Sequence, residues 1–394
     1  MSQKLSMTTR PHVSPIAVAV AGLVALAIAM GIGRFAFTPV LPMMQADGVL
    51  TIAAGGWLAA ANYLGYLLGA LSAVAIRIRP ATTIRAGLLV IALSTVGMGV
   101  AHGFAIWATF RAVAGFASAW VLISVSAWTL ALLPAGRPLL SGAVFAGVGV
   151  GIAAAGLLTL LLTYLRATAA QTWIALGALA FAMTAAAWPF LTHDVQTNRR
   201  HAAGPRERRS AWSADGIRLI ACYGAFGFGY IIPATFLPAM AREIVRDPWI
   251  FGWTWPVFGT AAALSTFAGG VSRAVGGIRR LWLVSQLVMA LGICLPALVP
   301  GLVSIMLSAL AVGGTFMVNT MVGMQEARAV AGPDATGLMA TMTTAFAVGQ
   351  ILGPIVVSST VAGGGHFATP LLISAGVLAI SACLLASGGR SATS

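Results

Sequence analysis

Charge is scarce in this sequence, and negative charge is scarcer still. Of 394 residues only 8% are charged, and eight acids stand against twenty-two Lys and Arg. A soluble domain carries roughly 25% charged residues, so a water-facing globule of this length is excluded. Lys4 is the one lysine. Cysteine is nearly absent too. Cys222, Cys294 and Cys383 all sit inside apolar runs without a spaced partner, which excludes a disulfide framework or a zinc site and leaves small buried hydrophobes. The five histidines, at 12, 102, 193, 201 and 366, are scattered over termini and loops. They form no metal spacing and no Ser-His-Asp set. A phosphate loop of the form GxxxxGK followed by Ser or Thr is missing. Gly31 and Gly33 lack the third glycine and the strand context of a dinucleotide site. The residues therefore point to no enzyme, no cofactor and no metal. The net charge of +14 does not mark a nucleic-acid binder, because the basic residues sit singly or in short clusters between apolar spans.

What is present is apolar. Hydrophobic residues make up 59%, and the mean hydropathy is +0.95, so lipid is the natural solvent. The 46 glycines suit helices that must approach closely without a hydrophobic effect between them. A helix needs about 20 apolar residues to cross a bilayer. The sequence predicts twelve spans, near 15–42, 52–76, 82–101, 104–132, 139–165, 171–192, 214–240, 249–272, 281–299, 302–325, 336–362 and 367–388. With a cytoplasmic N-terminus, seventeen Lys and Arg fall inside and three outside. That asymmetry places both termini in the cytoplasm. The longest polar stretch, 193–213, reads as a cytoplasmic linker between an N-terminal six-helix bundle, 1–192, and a C-terminal one, 214–394.

The two halves align at a shift of 196 residues. Gly31 falls on Gly227, Gly33 on Gly229, Leu41 on Leu237, Pro42 on Pro238 and Met44 on Met240. The same shift carries Gly56-Trp57 onto Gly252-Trp253 and Arg77 onto Arg273. Six spans per half is an even number, so the copies run parallel. The expected fold is an all-α membrane protein of twelve transmembrane helices in two parallel six-helix pseudo-repeats. Such repeats place a solute site between the halves near mid-membrane and permit rocking between two open faces.

GIGRFAFTPVLPMM at 31–44, with WLAAANYLGYLLGA at 57–70, resembles the major facilitator superfamily. More narrowly it looks like the bacterial YbfB/YjiJ subfamily, and the resemblance spans nearly the whole chain. Ser272-Arg273-Ala274-Val275-Gly276-Gly277-Ile278-Arg279-Arg280 resembles the superfamily's loop signature, with Ser272 where the acid stands there. Arg77-Ile78-Arg79 is the counterpart in the first half. The resemblance implies that Arg77, Arg273, Arg279 and Arg280 belong to conformational-latch loops. Arg111-Ala112-Val113-Ala114-Gly115 resembles the fourth-helix arginine signature, which implies a part for Arg111 in proton or substrate coupling. It also implies a multi-pass protein of the bacterial plasma membrane, a monomer, with the bilayer and a small solute as partners.

Two arginines lie inside predicted spans. Arg34 is eight residues before Pro42, and Arg111 is eight residues after Gly103. At 1.5 Å per residue both lie about 12 Å below the outer surface. An ionisable residue at that depth is a functional candidate, and all eight acids lie near span ends or in loops. Arginine grips a carboxylate in a two-pronged fork, so an anionic solute is one reading. The other is that both arginines bind backbone carbonyls and hold structure. Tyr230 stands at the Arg34-equivalent position. Asn62, Tyr63, Tyr66, Tyr223, Asn319 and Gln350 are further polar residues in spans, each able to bind solute or neighbouring helices. Arg34, Arg111, Tyr230, Asn62 and Gln350 are the candidate solute contacts.

These features predict a secondary transporter working by alternating access on a small organic anion. Protons are a candidate driving ion, with Arg111 and Glu326, the most embedded acid, as coupling residues. The alternative is an efflux permease for neutral, sugar-like or drug-like compounds, and a remote alternative is a membrane receptor that does not transport.

Overall fold

The computed structural model describes residues 14–75, 79–134, 137–192, 213–245, 247–267, 276–332, 335–361 and 366–387. Arg77, Arg273 and the polar stretch 193–212 lie outside them. The described chain is helical throughout. Helix α1 (Pro15–Leu26) runs into a π-helical segment (Ala27–Phe35) and then α2 (Phe37–Ala46). There follow α3 (Ile52–Ala75), α4 (Pro80–Val100), α5 (Phe104–Leu132), α6 (Pro138–Tyr164) and α7 (Ala169–Ala187). The later part holds α8 (Ala214–Ile244), the pair α9 (Pro248–Phe251) and α10 (Thr254–Ser265), α11 (Ile278–Leu298), α12 (Leu302–Ala331), α13 (Ala335–Val361) and α14 (Ala368–Ser387).

Among the described residues, ten helices are long and apolar enough to cross a bilayer. Helix α3 carries three buried polar side chains, Asn62, Tyr63 and Tyr66. The α9–α10 segment is outside the ten, because the helix breaks at Gly252-Trp253. Large side chains such as Leu93, Leu264, Leu291, Val303 and Ile380 face outward, as lipid contact requires.

The helix pairs recur along the chain. Helix α3 packs on α5, α4 on α5 and α7, and α1 with the π segment on α6. Later, α10 packs on α12, α11 on α12 and α14, and α8 on α13. The most extensive contacts between the earlier and the later helices are α6 with α10, α3 with α13 and α2 with α8.

Proline decides one of these joints. Pro238 has no N–H, so the Ala234 carbonyl one turn earlier loses its helical donor. The Thr38 hydroxyl donates to it instead, at 2.7 Å. These two residues are 196 apart, the same shift that aligns the sequence. Beyond them Arg242 Nη1 donates to the Pro42 carbonyl at 2.6 Å, and Ser358 Oγ donates to Ala53 at 2.9 Å. These bonds lie between mid-bundle and the end away from the termini.

Candidate functional site

The π segment builds the site. All nine of its residues are buried. Wide turns of this kind are rare and cluster at functional positions, because they leave backbone groups without regular partners. A π-type bond from the Arg34 carbonyl would need the N–H of residue 39, which is Pro39. Arg111 Nη2 donates to that carbonyl at 2.9 Å, and its Nη1 reaches the Gly33 carbonyl at 3.3 Å. Asn62 Nδ2 also donates to Gly33 O, at 3.3 Å, and to Arg111 O, at 2.7 Å. Ser118 Oγ donates to Ala29 O at 2.7 Å. The segment can lie this close to α6 because Gly31 faces Gly151. A Cβ on Gly31 would sit 2.3 Å from the Gly151 carbonyl carbon.

The side chain of Arg34 points the other way, toward the later helices. It is 2% exposed. Its Cζ lies 3.9 Å from the ring centre of Tyr66 and 5.3 Å from those of Tyr63 and Phe35. Aromatic faces attract a cation with a strength of about 2 kcal/mol when water is excluded, which offsets part of the desolvation of the charge. Arg34 Nη2 donates to Gln350 Oε1 of α13 at 2.9 Å. The Gln350 amide nitrogen donates to the Tyr230 hydroxyl of α8. Tyr63 and Thr235 share a hydroxyl contact at 3.0 Å. Arg34, Gln350 and Tyr230 thus form one chain across the joint between earlier and later helices. Arg34 Nε, buried beside Nη2, has no hydrogen-bond partner.

The candidates predicted from sequence therefore separate into two groups. Arg34, Gln350 and Tyr230 meet side chain to side chain. Arg111 and Asn62, expected to face a solute, instead direct their donors to backbone carbonyls of the π segment. Glu326 lies elsewhere, ten residues past Phe316 and so about 15 Å further along α12. Its Oε1 is 3.7 Å from Arg279 Nε, and Arg279 Nη2 is 3.4 Å from Asp215 Oδ1. Arg218 pairs with the same Asp215 oxygen. This cluster ties the first turns of α8 and α11 to the last turns of α12, while Arg280 is exposed.

Sequence reasoning missed the rings around Tyr230. Phe226, Phe316 and Phe346 are buried there, and Trp255 is buried 6.3 Å from Phe35. One signal was available: Phe346 precedes Gln350 by four residues, hence on the same helix face.

A helical bundle of membrane-length helices with a buried cation between its earlier and later helices is the architecture of a polytopic membrane protein. The family model described as "Uncharacterised MFS-type transporter YbfB" matches residues 26–386. The chain belongs to that family, and is a multi-pass membrane transporter of the major facilitator superfamily. Among solved structures, a point mutant of the nucleoside transporter NupG is 16% identical, with a TM-score of 0.73 over 95% of this chain and 100% of that one. The NupG structure without that mutation is 15% identical, also at 0.73, over 96% and 99%. At that identity the likeness shows the fold. No curated protein matches the sequence.

Proposed function

We propose that this transporter moves a small organic anion, a carboxylate, by alternating access, with Arg34 as its anion clamp. One observation carries the reading. Arg34 is buried, its Nη2 meets a single amide oxygen, and its Nε meets nothing. Nε and Nη2 lie along one edge of the guanidinium, and a carboxylate has the two oxygens that fill both. Among the described residues no acid pairs with Arg34.

The same reading takes the chain as twelve spans in two parallel halves, 1–192 and 214–394, joined by a linker. Support comes from the recurring helix pairs and from the Thr38–Ala234 contact at the repeat shift. The arginine distribution supports cytoplasmic termini in a bacterial plasma membrane. The bonds at Thr38, Arg242 and Ser358 then close the outer face. A monomer with both halves in one chain suffices for such a cycle. A proton gradient is the proposed drive, with Glu326 as the coupling acid, since it is the more buried of the two acids in the α8–α11–α12 ion pairs. Those pairs, with the loops of Arg77, Arg273, Arg279 and Arg280, form the proposed inner latch.

Uptake of labelled carboxylates into proteoliposomes tests the clamp. Arg34→Lys keeps the charge but loses the fork. A charged hydrogen bond contributes about 1.5–3 kcal/mol, so carboxylate flux should fall roughly ten- to a hundredfold. Unchanged flux would refute the clamp. A neutral polar solute is the second reading, favoured by the amide and phenol at Gln350 and Tyr230. Flux of an uncharged nucleoside or sugar that survives Arg34→Lys would select it.

A further inference from the structure

Tyr230 lies in a pile of flat rings. Its ring is 4.7 Å from that of Phe316 at 17°, and 5.5 Å from that of Phe346 at 10°. Stacked pairs at these separations are among the favoured aromatic geometries. The Tyr230 hydroxyl meets the Gln350 amide, and the amide oxygen sits on Arg34. A flat ring held between two flat walls, a polar link and an oxygen on a guanidinium thus follow one another in a line. That line has the outline of an aromatic acid.

We infer that the solute is an aromatic carboxylate, its carboxylate taking the place of the Gln350 oxygen on Arg34 and its ring the place of Tyr230 against Phe316 and Phe346. The inference rests on the anion reading above and deepens it. Trp255 adds an unmet donor next to the site: its buried Nε1 has no hydrogen-bond partner, and its ring faces Phe35.

The division of labour between helices gives this solute a mechanical role. Arg34 and its flanking Tyr63 and Tyr66 come from the π segment and α3. Phe316 and Phe346 come from α12 and α13. A carboxylate alone engages only the first group, and a ring alone only the second. An aryl carboxylate engages both and draws the two sets of helices together. The carboxylate meets Arg34 in place of the Gln350 oxygen, so the guanidinium keeps a hydrogen-bond acceptor throughout.

The test is binding to purified full-length protein by calorimetry, with benzoate, cyclohexanecarboxylate, acetate and benzyl alcohol as probes. Benzoate and cyclohexanecarboxylate share size and charge and differ in the flat ring. Two stacking contacts predict that benzoate binds at least about fivefold tighter than cyclohexanecarboxylate, and that benzyl alcohol, lacking the anion, binds more weakly still. Equal binding of benzoate and cyclohexanecarboxylate would overturn the aromatic inference and leave the anion clamp standing. Failure of all three carboxylates to bind would overturn both. Phe316→Leu should cut the preference for benzoate by at least about twofold while retaining carboxylate binding. Phe346→Leu is the second variant, and an undiminished preference in whichever of the two folds counts against the slot.

Discussion

Removing Arg111 tests whether it holds the backbone of the π segment. Arg111→Leu deletes the bonds to Gly33 O at 3.3 Å and Arg34 O at 2.9 Å, and the cation 4.9 Å from the Phe37 ring. Gly33 O keeps the Asn62 amide at 3.3 Å. At Arg34 O, Pro39 cannot supply the π-type donor, so the Arg111 bond is the charged one that this carbonyl loses. Neutral interhelical hydrogen bonds in a membrane bundle average about 0.6 kcal/mol, whereas bonds from a charged donor contribute about 1.5–3 kcal/mol. Loss of the buried charge itself offsets part of this. The expected net destabilisation is about 2 kcal/mol for Arg111→Leu. Asn62→Leu alone should cost about 1 kcal/mol, because Arg111 still serves Gly33. In the double variant Gly33 loses both donors, so the two changes should exceed additivity by about 1 kcal/mol, within the range for residues sharing a partner. Reversible unfolding in mixed micelles measures all four corners of the cycle. An Arg111→Leu protein within 0.5 kcal/mol of wild type, on the same roughly 1 kcal/mol scale of pairwise effects, would refute the reasoning. So would strict additivity.

Three further outcomes follow from the same geometry. Gly31→Ala places a methyl 2.3 Å from the Gly151 backbone, where no flexible side chain can yield, and should lower stability by about 1–3 kcal/mol while shifting Arg34, read as a lower melting temperature with weakened carboxylate binding. Thr38→Val leaves the Ala234 carbonyl unmet and Arg242→Ala frees Pro42 O, so each should raise the labelling rate of a cysteine placed at mid-bundle by an impermeant reagent from the face away from the termini; an unchanged rate in both would show that these bonds do not hold that face shut. Glu326→Gln removes one arm of the partly exposed Arg279 cluster and should change stability by less than about 1 kcal/mol, yet abolish uptake driven by a pH gradient while sparing solute exchange; gradient-driven uptake at the wild-type rate would remove Glu326 from the coupling role.

The helices were legible because hydropathy and punctuation are local properties. Each expected span except the eighth meets a described helix within several residues at its edges, and the eighth, whose last five residues lie outside the described ones, is broken at Gly252-Trp253. Arg34 was legible as a charge inside an apolar run, and Tyr230 through the repeat shift. The π segment was not legible, since nothing in AIAMGIGRF distinguishes wide turns from ordinary ones. Its geometry depends on donors from α3 and α5 that arrive from 29 to 89 residues away.

The sequence by itself determined the solvent, the helical class and which charges must be buried, because composition and periodicity act residue by residue. The tertiary structure alone decided what those charges do. Two arginines of one expected depth took opposite roles, Arg111 donating to backbone and Arg34 facing a side chain of the later helices. The physical reason is direction: an α-helix turns about 100° per residue, so which way a guanidinium points, and which unmet carbonyl or amide it finds there, is fixed only when the helices pack.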